Sequence, residues 1–334
     1  PIKDPQWCEF ISSHPDAGPF HLPAWTSVIA DCYHFDAFIL TVRDTDGEIL
    51  AGAPVVAVRS PLGRRRWVSL PFTDVCPLLV RSDIDVNEVA VALEEHVIAS
   101  GVSGLEVRAG LPANENVHPV EVGYRHVLEV PSDPAALRPR RGQRLRRNQA
   151  MRKGVKVTYG AGPEDLAAFY RLHTLTRRRH GVPVQPRRFF DLIQARLLVP
   201  GYGFLATASL EGQVVAAAIY LSHNGILVNK YHASDPRCPD TGAGHLLDWE
   251  IMAAACTHGY HTIDMGRTDF GADGLRYYKT AWGAVEEPLV YTYICRRPLE
   301  SVPGRVPGFS QKIIQHSPPW VCRALGAILY RWSA

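Results

Sequence analysis

Residues 38–56 read FILTVRDTDGEILAGAPVV, and residues 204–219 read FLATASLEGQVVAAAI. Apolar and polar residues alternate in both, around Asp44-Thr45-Asp46-Gly47 in the first and Gly212 in the second, which spells an antiparallel β-hairpin each time. Aligned on these glycines, G-E-I-L-A-G-A stands over G-Q-V-V-A-A-A, alike in character at every position. A second pair follows in the same order at nearly the same offset. A helical pattern ends at Gly101 and enters GVSGLEV, and another ends at Gly259 and enters GYHTIDM, with Glu106 opposite Asp264. Each half is thus a hairpin, a long amphipathic helix and a strand, an α/β unit with a mixed sheet.

The 334 residues suit two such units at ~100–200 residues per domain. The expected division is 1–137 for the first unit, 138–298 for a second that opens on a basic helix, and 299–334 for an amphipathic tail. The boundary falls where PSDPAALRPRRGQ (131–143) places proline, glycine and polar residues between apolar strands. With 46% hydrophobic and 21% charged residues, collagen-like, disordered and disulfide-scaffold classes are excluded. A net charge of +3 is too balanced for nucleic-acid binding over the whole surface, so any polyanion site is local. Seven scattered cysteines, none in a C-x-x-C pair, argue for a reducing compartment and against zinc. Pro1-Ile2-Lys3-Asp4 shows no apolar leader and no run of about 18 apolar residues occurs, which reads as cytoplasmic.

The local polyanion candidate is RLRRNQAMRKGVKV (144–157). Nine Lys or Arg and no acid lie between Arg138 and Lys156, and Arg144, Asn148, Met151 and Arg152 recur at helical spacing. This helix either neutralises phosphates or is a solvated basic face. Thr176-Arg177-Arg178-Arg179-His180-Gly181 is a second basic cluster.

The densest reactive stretch is DMGRTDFGADGLRYYKTAWG, 264–283. A strand runs into a glycine-rich loop and then a helix with Leu275, Tyr278 and Trp282 on one face and Lys279 beside Tyr278. Lys279 can set an ammonium against an oxyanion or phosphate, and the aromatic neighbours can stack on a base. Asp264, Arg267 and Asp269 are either functional or an ion-pair set that closes the loop. The turn Pro239-Asp240-Thr241-Gly242-Ala243-Gly244 opens a helix; Gly242 and Gly244 serve either a phosphate or tight packing. Asp74, in the apolar loop LPFTDVCP, reads as a proton-transfer group or a turn cap, burial raising its pKa. His232, His258 and His261, in or beside strands, read as structural. No G-x-S-x-G elbow, Walker loop or H-E-x-x-H helix is present.

The order of LPFTD, a basic helix ending in RKGVKV, Thr176-x-x-Arg179-x-Gly181, GQVVAAAIYL, IDMG and Tyr278-Lys279-x-x-Trp282-Gly283 resembles the Fem family of non-ribosomal peptidyl transferases, built from two tandem GNAT-like domains. The resemblance spans residues 20–295 and leaves no room for the coiled-coil arm of some relatives. It implies aminoacyl transfer from aminoacyl-tRNA to a small-molecule or peptide amine acceptor, without metal or other cofactor. By this likeness Lys279 is the catalytic lysine and Tyr278 its aromatic neighbour. Arg179, with Arg177 and Asp264, serves the acceptor, and Asp74 resembles a carboxylate base. Arg144, Arg147, Arg152, Arg267, Gly242 and Gly244 complete the donor side. The lysine that peptidoglycan-acting relatives carry shortly after the early tryptophan is missing after Trp25, which argues against a UDP-sugar peptide acceptor. Pro239 replaces the Gln or Arg that simple GNAT enzymes place before their first CoA-loop glycine. An acyl-CoA-dependent N-acyltransferase and a non-catalytic RNA- or glycan-binding accessory protein of envelope assembly are the alternatives. The tail, with Trp320, Tyr330 and Trp332, either packs on the body or makes a peripheral membrane contact.

Overall fold

The computed structural model describes residues 1–59, 63–160, 162–296 and 314–330. The chain forms two compact units. The first holds Pro1–Gly123 with residues 288–296 and Tyr330, and the second holds Tyr124–Glu287 with residues 314–329.

In the first unit the expected hairpin is β1 (Asp36–Arg43) and β2 (Ile49–Arg59), with Leu40 facing Ala53 and Gly47 at φ +86° in the turn. β2 continues antiparallel to β3 (Arg65–Val68), and β3 runs parallel to β5 (Leu105–Val107); the short β4 (Leu79–Val80) also pairs with β2. Between them α3 (Val86–Ala99) starts where the Asp85 carboxylate accepts from Asn87 N. The period-2 pattern sends Leu40, Ala51 and Val55 to one face, where they meet Val89, Leu93 and Val97 of α3. Helix α1 (Pro5–Ser13) buries Trp7 and Ile11 with Ile49, while α2 (Pro23–Tyr33) buries Trp25 and Val28.

The second unit repeats this plan. β8 (Gly203–Leu210), β9 (Gln213–His223) and β10 (Ile226–Ser234) form an antiparallel meander, and β10 runs parallel to β11 (Thr262–Thr268) after α7 (Ala243–Thr257). β7 (Lys156–Gly160) adds to the edge at β8. Ala216, Ala218 and Tyr220 of β9 pack with Leu247 and Ile251 of α7. The alternate residues face α5 (Pro163–Arg179) and α6 (Arg187–Ile193), where Tyr231 meets His173 and Phe190.

The last strand of each sheet comes from an unexpected place. β6 (Val117–Glu129) follows β5 in sequence, yet its residues 124–129 pair antiparallel with β11. β12 (Val285–Ile294) follows β11, yet Thr292–Ile294 pair with β5. The strand that leaves each unit completes the other's sheet, so the division falls at Gly123/Tyr124 inside β6, ahead of the proline-rich stretch. The basic stretch forms α4 (Arg141–Arg152), and α8 (Asp273–Ala281) follows β11. Part of the expected tail, 299–313 and 331–334, lies outside the described residues. Its helix α9 (Pro319–Leu329) packs against α5, with Gly326 so close to the Val184 carbonyl that no side chain fits there. Among the described residues no helix is long and apolar enough to cross a membrane.

Candidate functional site

Lys279 sits on α8 with only 6% of its surface exposed. What holds it is a break in β11, where the register with β6 shifts between Asp264 and Arg267. Gly266 adopts φ +74°, a conformation that suits glycine, and its N–H donates to Asp264 Oδ1 at 2.7 Å. Asp264 Oδ2 accepts from Arg125 at 2.8 Å. The carbonyls of Gly266 and Arg267 accept from Lys279 Nζ at 2.8 and 3.0 Å. Arg267 pairs with Asp269 at 2.6 Å, whereas Asp264 pairs with Arg125 of β6 and not with Arg267. His126 is fully buried nearby; burial and then the Lys279 charge push its pKa down. Its Nδ1 lies 3.3 Å from the Thr268 hydroxyl, and Glu286, 3.2 Å from its Nε2, is held by Arg276.

Tyr278, the next residue on α8, turns elsewhere. Its hydroxyl donates to Asp248 Oδ2 at 2.5 Å, and burial followed by the Asp248 charge pushes the phenol's pKa well up, so it keeps its proton. Asp248 belongs to α7 and is 1% exposed. His232 of β10 faces it as an ion-pair partner, Nε2 to Oδ1 at 3.3 Å. Burial opposes the charge on His232, while Asp248 more than offsets this and raises its pKa. The His245 ring meets Tyr278 edge-on at 5.2 Å. The half-buried His232, His245 and Tyr278 thus cluster around the buried Asp248 at the head of α7, where a Cβ on Gly244 would come 3.3 Å from His232 Cε1. Gly242 has a different task. At φ +70° it is the left-handed residue before α7, and a Cβ would fall on the Arg146 carbonyl of α4.

Helix α4 is tied to both neighbours. Gln143 Nε2 donates to the Tyr278 carbonyl at 3.1 Å, and Gln149 and Lys153 donate to the Asp240 carbonyl at 3.1 and 2.7 Å. Its outer face exposes Arg144, Leu145, Asn148, Met151 and Arg152. Arg147 turns back and lays its guanidinium 4.2 Å over the Trp249 ring. Arg177 and Arg179 end α5. Arg177 donates to the Pro183 carbonyl at 3.0 Å, whereas Arg179 is exposed.

Asp74 lies in the first unit, half-buried rather than enclosed as the sequence suggested. Trp25 Nε1 donates to Thr73 Oγ1 at 2.8 Å, and the Tyr291 hydroxyl donates to the Asp74 carbonyl at 2.9 Å. Leu70 and Phe72 hold φ of 60° and 61°, a strain of about 1–3 kcal/mol each that marks this loop as a functional candidate.

Sequence reasoning brought Lys279, Tyr278, Arg267 and Asp264 into one stretch, and the structure places them around β11 and α8. It missed Asp248, His245 and His126, and it took His232 as a satisfied structural histidine. The signal for Asp248 was present: an acid in GHLLDWEIMAAAC on the same helical face as the apolar Ile251, Met252 and Ala255. Leu275 is 46% exposed, so the apolar side of α8 is narrower than its periodicity implied.

Residues 138–280 match the family of the acetyltransferase (GNAT) domain. Among solved structures, FemX superposes with a TM-score of 0.68 at 15% identity, over 87% of this chain and 96% of FemX. The C-terminal domain (DUF2156) of a putative lysylphosphatidylglycerol synthetase from Agrobacterium fabrum gives 0.59 at 12% identity, over 89% of this chain and 92% of that one. A tandem GNAT protein from the clavulanic acid biosynthesis pathway gives 0.50 at 12% identity, over 83% and 95%. No curated protein sequence matches the chain. Residues 138–280 therefore carry a domain of the acetyltransferase (GNAT) type, and the chain has the Fem-like tandem GNAT fold.

Proposed function

We propose that the chain forms an amide bond by transferring an aminoacyl group from aminoacyl-tRNA to a small amine-bearing acceptor in the cytoplasm. The observation that carries this reading is Lys279, a buried lysine whose ammonium is held in place by bonds to the carbonyls of Gly266 and Arg267. Such a preorganised cation is suited to charge that develops only in the transition state. The neutral acceptor amine attacks the ester carbonyl, the new N–C bond forms, and the carbonyl oxygen becomes an oxyanion that Lys279 stabilises. Collapse breaks the ester C–O bond. The proton lost by the amine is delivered to the ribose oxygen, which leaves as a hydroxyl. No covalent enzyme intermediate is needed. Arg144, Arg147 and Arg152 hold donor phosphates beside Tyr278, Arg267 and the Gly242–Gly244 turn, while Arg177, Arg179 and Asp264 serve the acceptor.

The match to acetyltransferases favours a second reading, an acyl-CoA donor cradled by the Gly242–Gly244 turn. Against it, the space beside Gly242 is filled by the Arg146 carbonyl. The test is transfer of labelled amino acid from charged tRNA to a panel of amines. Lys279→Ala should lower kcat about 10²–10³-fold with donor saturating and leave donor affinity little changed. An unchanged kcat overturns the role of Lys279, and transfer from acyl-CoA alone overturns the tRNA donor.

A further inference from the structure

Asp264 of β11 stands opposite Val127 of β6, and Arg267 stands opposite Arg125, so one residue of β6, His126, faces two of β11, Met265 and Gly266. The extra residue makes a β-bulge, which turns local peptides out of the ladder and re-aims them. Its left-handed residue is Gly266 at φ +74°, the residue type with the most backbone freedom to lose, so something has to hold it. The holding group is Asp264, 4% exposed. Its Oδ1 accepts from the Gly266 N–H at 2.7 Å and its Oδ2 from Arg125 Nε at 2.8 Å. The carbonyl of the same Gly266 accepts from Lys279 Nζ at 2.8 Å. Three hydrogen bonds thus run without interruption from a guanidinium on β6 to the ammonium on α8. Glu287, half exposed and 4.0 Å from the guanidinium, is its looser partner, so Asp264 sets the orientation of Arg125. Both Asp264 oxygens are engaged inside the protein, and its service to the acceptor is through Lys279 rather than by contact.

We propose that Arg125 is a positioning residue for Lys279, acting through the Asp264 carboxylate and the Gly266 peptide. This rests on the aminoacyl-transfer reading, which sets Lys279 against the developing oxyanion. Arg125 touches no reacting atom. Its charge-assisted bond fixes the carboxylate, the carboxylate fixes the bulge, and the bulge presents the Gly266 and Arg267 carbonyls to Nζ. Preorganisation of this kind acts on kcat, because a cation displaced by about 1 Å leaves donor binding in place and misses the charge of the transition state. An ion pair that only joined β6 to β11 would contribute stability and give no coupling to Lys279.

The test is a double-variant cycle on the full chain, with labelled aminoacyl-tRNA as donor. Arg125→Ala should lower kcat about 10–10²-fold with donor saturating and leave the donor KM little changed. In a Lys279→Ala background the same change should cost less than about twofold, because the group it positions is gone. Arg125→Lys keeps the charge without the planar fork and should fall between, with the same non-additivity; it decides the matter where the alanine variant does not fold. A second readout needs no donor. In a pulse of acetic anhydride read by mass spectrometry, Lys279 should react slowly beside the exposed Lys156 in the wild-type chain. Arg125→Ala should raise the Lys279 rate about tenfold relative to Lys156 and leave Lys230 of β10 unchanged. Equal losses of kcat in both backgrounds, unchanged Lys279 labelling, or a rise at Lys230 as large as at Lys279 overturns the positioning role and leaves the aminoacyl-transfer reading standing. Labelling that shifts as stated, in a chain that transfers nothing from charged tRNA, overturns that reading and leaves the positioning of Lys279 standing.

Discussion

His173 shows how a single side chain in this molecule couples packing to pH. It is 3% exposed among Phe169, Phe190 and Tyr231, and its Nε2 meets Gln185 Oε1 at 3.1 Å. Burial, and then the Arg177 charge, push its pKa down to about 3. The unfolded chain binds a proton near pH 6.5 that the folded chain refuses until about 3. The stabilisation is therefore fully present above pH 6.5 and is lost as pH falls toward 3, at about 1.4 kcal/mol per unit. Urea unfolding should show the midpoint dropping between pH 7 and 4, and His173→Phe should flatten that drop; a His173 resonance titrating near 6.5 would contradict the assignment. Residues of this kind were the hardest to read from sequence. Lys279 and Tyr278 announced themselves by adjacency in a glycine-flanked helix. Asp248 and His232 did not, because they come from α7 and β10 and acquire meaning only when Tyr278 is brought against them.

At the scale of elements, both hairpins were legible, because period-2 burial and the turn glycines Gly47 and Gly212 are local properties. So were the helix ends at Gly101 and Gly259. The break in β11 was not legible: it depends on Asp264 reaching Gly266 N and Arg125 on β6, a pairing that no local pattern specifies. Gly242 gives an element-level test. Gly47→Ala and Gly242→Ala both force a left-handed residue with a Cβ, at about 1–2 kcal/mol, but only at 242 does the new atom meet the Arg146 carbonyl. Gly242→Ala should therefore lower Tm several degrees further than Gly47→Ala, which meets open space. Equal losses would show that the turn before α7 is not clamped by α4.

Across the whole molecule, the duplication was visible as two hairpin–helix–strand series, but the exchange of β6 and β12 was not. Choosing between strands of similar pattern is decided by long-range packing, on which the sequence of each strand is silent. The net charge of +3 also hides a division of labour, since the donor reading depends on the outward arginines of α4 rather than on overall charge. Arg144→Ala with Arg152→Ala should lower the slope of log affinity against log salt for tRNA by about 1–2, and alter acetyl-CoA binding little.

The most direct test of aminoacyl-tRNA as donor is a salt series of binding measurements with charged tRNA, uncharged tRNA and acetyl-CoA on the wild-type chain. The account predicts tight, salt-steep binding of charged tRNA, weaker binding of the uncharged form that lacks the aminoacyl group, and little affinity for acetyl-CoA. Tight binding of acetyl-CoA with indifference to tRNA at every salt concentration would contradict it.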